Sequence, residues 1–256
     1  MDLLRTEFRK IFPYRTFWAI LGIYILLLLL VTSASSSVVV NGEVYGKTMY
    51  QFPQIWSRLA YIGSFFNVLL GILIIILVTD EFTFRTFRQQ VIDGLSRGEL
   101  VLAKFYVGLA LATFCTLVLL VLGFVLGLLY STDKSASAIF SQLDAVPYFF
   151  VQAVAYMALA MLFGFLIRKS GLAIIAFFVY TILVEPLIHY SLPDTVDKFF
   201  PVKVFASLTP RPGQALIDQI TTPTEMLTPQ WAVLPALAYS ALLVSAAWLI
   251  LKLRDL

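Results

Sequence analysis

Six apolar runs, each long enough to cross a bilayer, constrain this chain more than any other feature. A helix needs about 20 residues to traverse the roughly 30 Å hydrocarbon core. Runs of that order occupy residues 16–36, 60–79, 100–130, 147–167, 171–190 and 231–251. The chain has 256 residues, 60% hydrophobic and 13% charged, with a mean hydropathy of +0.91. A soluble domain of that size has no interior large enough to hide so much apolar surface. The expected fold is therefore an all-α integral membrane protein, a single transmembrane domain over 1–256, because helices satisfy their own backbone groups in lipid. The first run is too long for a cleaved signal peptide, and no small-residue cleavage site follows it. The third exceeds a straight crossing, so it tilts, bends or projects.

Positive charge orients these runs. With both termini in the cytoplasm, the cytoplasmic segments hold twelve Lys and Arg: Arg5, Arg9, Lys10, Arg15, Arg85, Arg88, Arg97, Lys104, Arg168, Lys169, Lys252 and Arg254. The outer segments hold six: Lys47, Arg58, Lys134, Lys198, Lys203 and Arg211. Cytoplasmic loops carry an excess of Lys and Arg, so a multi-pass location in the cytoplasmic (inner) membrane with cytoplasmic termini is expected. Trp56, Tyr61, Tyr130, Tyr148, Tyr190 and Trp231 fall near outer ends, as an interfacial aromatic belt would.

The available chemistry is narrow. The one cysteine, Cys115, excludes an intrachain disulfide, and the one histidine, His189, excludes a bis-His haem and a three-His zinc site. No metal and no nucleic-acid partner are expected. Asn41-Gly-Glu-Val-Tyr-Gly-Lys-Thr48 nearly spells a phosphate-binding loop, but Asn41 stands where the first glycine belongs and no long buried strand precedes it. Asn-Gly between short β-favouring runs reads better as a hairpin turn.

Two amphipathic pieces lie outside the runs. In the first, Leu4, Phe8, Ile11 and Phe12 recur at helical spacing, with Arg5, Arg9 and Lys10 opposite. That is an interfacial helix for an anionic lipid surface, ended by Pro13. In the second, EFTFRTFRQQVIDGLSRGELVLAK over 81–104, residues Phe84, Phe87, Val91 and Leu95 form one helical stripe, with Arg85, Arg88, Gln89 and Asp93 on other faces. Gly94 can end that helix, and Ser96 with Glu99 makes a capping box for the third run. Leu95-Ser-Arg-Gly-Glu99 resembles the ATPase signature Leu-Ser-Gly-Gly-Gln, yet the capping box explains it without nucleotide.

Three further features are noted. Residues 191–230 form a long outer loop with six prolines, within which 212–220 is a candidate short helix. Gly123 and Gly127 form a G-x-x-x-G that permits close helix approach. Glu185 lies inside an apolar run, one helical turn before His189. An intramembrane carboxylate is either a functional polar site facing the translocation route or partner, or an interfacial group reaching headgroups.

With these elements in view, the chain resembles the permease subunits of ABC-2-type exporters. The resemblance rests on the basic lead-in LLRTEFRKIFPYR (3–15), on the 81–104 segment, and on six spans with a long outer loop before the last. The family's second element commonly begins with Glu and ends in Ser-Arg and then Lys, here Glu81, Ser96, Arg97 and Lys104. Where the family usually has Gly-Thr, this chain has Arg85-Thr86. The resemblance implies a permease, not catalytic by itself, that pairs with a second copy or a sister permease. It further implies separate ABC ATPase subunits on the cytoplasmic face, which would bind the ATP and magnesium, so no cofactor belongs to this chain. The segment between spans two and three would be the coupling helix, with Phe84, Phe87 and Val91 seated in the ATPase and Arg85, Arg88 and Arg97 giving charge complementarity. The competing readings are a non-transporting membrane scaffold and an intramembrane enzyme using His189 or Glu185.

Overall fold

The structure, a computed structural model, describes residues 2–35, 39–40, 43–44, 50–189, 191–212 and 226–254. Among them, six helical segments are long and apolar enough to cross a membrane. They are α2 (Arg15–Ser35), α3 (Ile55–Thr83), α5 (Arg97–Tyr130), α7 (Ala145–Ile167), a composite fifth span, and α12 (Pro229–Leu253). All six expected runs are therefore helices. The amphipathic lead-in is helix α1 (Asp2–Ile11), and a short helix α4 (Thr86–Ile92) joins α3 to α5. Helix α5 runs 34 residues without a break, about 50 Å at 1.5 Å per residue, more than the hydrocarbon core requires.

The chain alternates between two ends. One, the basic end, gathers α1, α4, the turn between α7 and the fifth span, and the end of α12. The other, the loop end, carries strands Val39–Val40 and Glu43–Val44, helix α6 (Ala136–Phe140), and the loop before α12. Those strands pair antiparallel, Val39 with Val44 and Val40 with Glu43, and so bracket Asn41-Gly42. The turn residues themselves lie outside the described residues, as do the rest of the 41–48 motif's tip and nearly all of the short helix expected at 212–220.

Proline shapes the fifth span. It begins as α8 (Ser170–Phe178), widens into a π-helical segment (Val179–Val184), and ends as α9 (Glu185–His189). Pro186 has no N–H to donate, and in a regular helix its ring would clash with the Ile182 carbonyl. The wider turn just before it accommodates the ring, while Thr181 Oγ1 donates to the Phe177 carbonyl at 2.9 Å.

Helices α3 and α7 sit at the centre, and the other spans surround them. Leu26, Leu30, Val121, Ile175, Ile182, Leu234 and Leu242 are exposed on the outside, as expected of a surface whose solvent is lipid. Inside, Asn67 Nδ2 of α3 donates to Gln152 Oε1 of α7 at 3.2 Å. The glycine pair on α5 serves packing within the chain: a Cβ on Gly123 would lie 2.5 Å from the Trp56 ring, and one on Gly127 would overlap the Phe52 ring. Trp56 is accordingly buried, and its Nε1 donates to the Ile139 carbonyl at 2.7 Å. It is not the interfacial belt residue its position suggested. Gly127→Val is expected to lower stability by about 1–3 kcal/mol, the usual cost of overpacking. Thermal unfolding in lipid nanodiscs checks this; an unchanged midpoint would refute the close approach.

Candidate functional site

The basic end is where sequence features converge. Helix α3 stops at Phe84, whose N–H still donates to the Asp80 carbonyl at 2.8 Å. The next residue, Arg85, has φ 57°, a left-handed conformation that side-chain-bearing residues adopt at a cost of about 1–2 kcal/mol. That single residue turns the chain into α4. Thr86 Oγ1 donates back to the Glu81 carboxylate across the corner. Gly94, with φ 101°, closes the far side. Ser96 and Glu99 then form a complete capping box: the Ser96 N–H donates to Glu99 Oε2 at 2.8 Å and the Glu99 N–H to Ser96 Oγ at 3.2 Å.

Beneath this corner lies a buried charge cluster. Lys104 Nζ donates to Glu7 Oε2 and to Glu81 Oε1, both at 2.6 Å. Lys10 Nζ reaches the same two carboxylates at 3.0 and 3.1 Å. Glu7, Glu81 and Lys104 are all nearly inaccessible to solvent. Two negative and two positive charges thus balance, which is what allows them to be buried. The cluster ties three elements together: α1 through Glu7 and Lys10, α3 through Glu81, α5 through Lys104. Burial alone would lower the Lys10 pKa, but Glu7 and Glu81 outweigh it and hold the ammonium above the ordinary lysine range. Nearby, Tyr14 Oη donates to Asp80 Oδ2 at 2.6 Å, a second tie between the lead-in and α3.

Beside the cluster opens a polar cavity of about 340 Å³ lined by Glu81, Phe82, Phe87, Arg85, Arg88 and Arg168. Arg168 follows α7, and its guanidinium sits 4.9 Å from the Phe82 ring centroid. Three arginines from two separate segments therefore surround one opening.

The chain matches the model of a family described as ABC-2 family transporter protein over residues 3–184. It belongs to that family. The matched stretch takes in α1, the α3–α4–α5 corner with its charge cluster, and the first five spans as far as the π segment. As a member of the ABC-2 family it is a multi-pass membrane protein with a permease role. No curated protein matches the chain.

Within this ABC-2 chain the expected coupling residues do not share one face. The predicted stripe is split at Arg85. Phe84 belongs to the end of α3 and is exposed, at 71% of its surface, whereas Phe87 in the first turn of α4 is only 1% exposed. Phe87 stacks on Phe165 of α7, ring centroids 5.7 Å apart, and meets Phe82 edge-on at 4.8 Å. It faces the core of the bundle. Val91 also packs inward, half-buried, while Ile92 stands outside. Arg97 is engaged too: its Nη1 donates to the carbonyls of Leu251 and Lys252 at 2.9 and 2.7 Å, capping the end of α12. Arg85 and Arg88 remain exposed. On α1, Ile11 is buried, Phe8 and Arg9 are exposed, and the Leu4 side chain lies outside the described residues.

At the loop end, Glu185 is fully buried. Its Oε1 accepts from the backbone N–H of Val202 at 2.6 Å and of Lys203 at 3.0 Å. These are the first free donors of helix α11 (Pro201–Ser207) in the loop, so a carboxylate from the fifth span caps it from below. Gln152 Nε2 donates to the Phe205 carbonyl at 2.9 Å near the other end of α11, and Tyr239 Oη of α12 to the Phe199 carbonyl at 2.6 Å. Glu185 is thus an internal anchor rather than a group reaching lipid headgroups. Sequence reasoning did not single out Gln152 or Tyr239. Their signal was only that of polar groups in apolar runs. Next to this anchor, a cavity of about 670 Å³ is lined by Leu27, Tyr61, Phe65, Gln152, Tyr156 and Phe178, among others, with Thr209, Pro210 and Arg211 of the loop at its rim.

Proposed function

We propose that the chain is the permease subunit of an ATP-driven ABC-2 exporter, driven by separate ATPase subunits that dock on the basic end. That end is then the cytoplasmic side, with both termini, and the membrane is the cytoplasmic one. A second copy or a sister permease completes the translocation path, to which the apolar 670 Å³ cavity contributes one wall. ATP and magnesium bind in the partner, and this chain performs no catalysis.

The observation that carries this reading is the division of labour in α4. One face of the short helix is fixed to the bundle by Phe87 between Phe82 and Phe165. The other presents Arg85, Arg88 and Ile92, with Phe84 beside it, away from the bundle. A helix seven residues long that is rigidly mounted and carries charged and apolar groups outward is built to be pushed. Force on it reaches α3 and α7 through the aromatic rings and α5 and α1 through the charge cluster. The arginines around the 340 Å³ cavity favour an acidic docking surface on the ATPase.

The test is the double variant Arg85→Glu with Arg88→Glu, tagged and purified in mild detergent from its native host. Wild type is expected to bring down a stoichiometric ABC ATPase. The variant, folded and inserted normally, should lose it by at least about tenfold, since like charges across an interface cost several kcal/mol. Full ATPase recovery with ATP-driven export intact would refute the docking site. Co-purification of other membrane subunits without any ATPase would point to a scaffold.

A further inference from the structure

We infer that His189, with Glu185 and Asp197, forms a proton-binding latch that fastens the cap helix α11 over the loop-end cavity. The inference is independent of the coupling mechanism proposed above and concerns the opposite end of the molecule.

The chain's single histidine lies between two buried carboxylates. His189 Nε2 is 3.6 Å from Glu185 Oε1, and Nδ1 is 3.6 Å from Asp197 Oδ2. Glu185 belongs to the same helix as His189, whereas Asp197 ends α10 (Asp194–Asp197) in the loop. Asp197 is also paired with Lys203 Nζ of α11 at 2.6 Å. Glu185 and Asp197 are at most 2% exposed. With neutral imidazole, the group holds two negative charges and one positive. A proton on His189 brings it to balance, the condition under which buried charges are tolerated. The other ionisable groups that feel Glu185 are the phenols of Tyr156, Tyr180 and Tyr239, and phenols ordinarily titrate near pH 10. An unperturbed imidazole is the side chain that changes charge between about pH 5 and 8.

Three polar atoms of this group lack partners. Among the described residues, Glu185 Oε2, His189 Nδ1 and Asp197 Oδ1 are buried with no hydrogen-bond partner. Protonation turns both 3.6 Å contacts into charge pairs. One of them joins the fifth span to the loop. The other acts on the carboxylate that caps α11. The segment following α11 supplies Thr209, Pro210 and Arg211 to the cavity rim. Acidification therefore tightens the cap, and deprotonation loosens it.

The test uses the full chain in nanodiscs. Amide hydrogen exchange over residues 199–208, corrected for the intrinsic rate, is compared at about pH 5.5 and about pH 7.5, on either side of the ordinary histidine pKa. Wild type is expected to exchange roughly threefold to tenfold more slowly at the lower pH, the scale of one modest ion pair. His189→Gln should abolish the difference. Because the chain has one histidine, its labelled imidazole gives a single NMR resonance, whose titration midpoint should coincide with that of the exchange change. Equal exchange at both pH values, a pH dependence retained in the variant, or non-coincident midpoints would overturn the latch. Should the variant not fold, the wild-type midpoints alone decide.

Discussion

Lys104→Ala is expected to destabilise the protein by about 3–5 kcal/mol, the cost of removing one partner from a buried ion pair. The size follows from what remains. Glu7 and Glu81, both nearly inaccessible, would face each other with only Lys10, which is partly exposed, to offset them. Like charges at such distances repel strongly where water is scarce. The damage should be specific: α1 loses its main tie to α5, and the lead-in should become accessible to protease before the spans unfold. Thermal unfolding in nanodiscs and limited proteolysis at 2–14 measure the two effects. The triple variant Lys104→Met, Glu7→Gln, Glu81→Gln should recover most of the loss, because replacing every member of a buried charge group is often close to neutral. A stable single variant would show that the cluster is not a structural joint.

Phe87→Ala is the second large effect. Truncating a buried phenylalanine costs about 3–5 kcal/mol. Here the ring lies between Phe82 and Phe165, with the Lys104 ammonium 5.9 Å from its centroid. Its loss would detach α4 from α3 and α7 while leaving Arg85 and Arg88 in place. The expected phenotype is a permease that inserts and still binds its ATPase but transports poorly, because the lever is present and its mount is gone. Leucine at this position should restore much of the function by filling the volume. If Phe87→Ala instead abolished ATPase binding with stability unchanged, the residue would be a contact surface and its burial irrelevant.

The two variants mark a boundary in what the sequence could show. Six spans, their order and the amphipathic lead-in were readable because each is a local property: run length, helical periodicity, a proline at a helix end. The corner was half readable. Gly94 and the Ser96–Glu99 box announced the second break, since capping chemistry is written over four adjacent residues. The first break was not, because it depends on Arg85 taking a left-handed conformation that its residue type does not advertise. A stripe drawn through that residue put Phe84 and Phe87 on one surface when the fold separates them.

The same distinction holds for the charged groups. Glu81 and Lys104 were identifiable as motif positions, and Glu185 as an anomaly in an apolar run. Their partners were not, because Glu7 lies 97 positions from Lys104 and Val202 lies 17 from Glu185. The sequence by itself determined that this chain lives in a bilayer and which six runs form helices long enough to cross it, because these follow from transfer and hydrogen-bonding requirements of contiguous residues. Only the tertiary structure decided which charges neutralise one another, which aromatic rings mount α4 and which residues it leaves exposed, and that Glu185 holds helix α11 of the loop before the last span. Burial and pairing are set by residues distant along the chain, and no local pattern encodes which of them will meet.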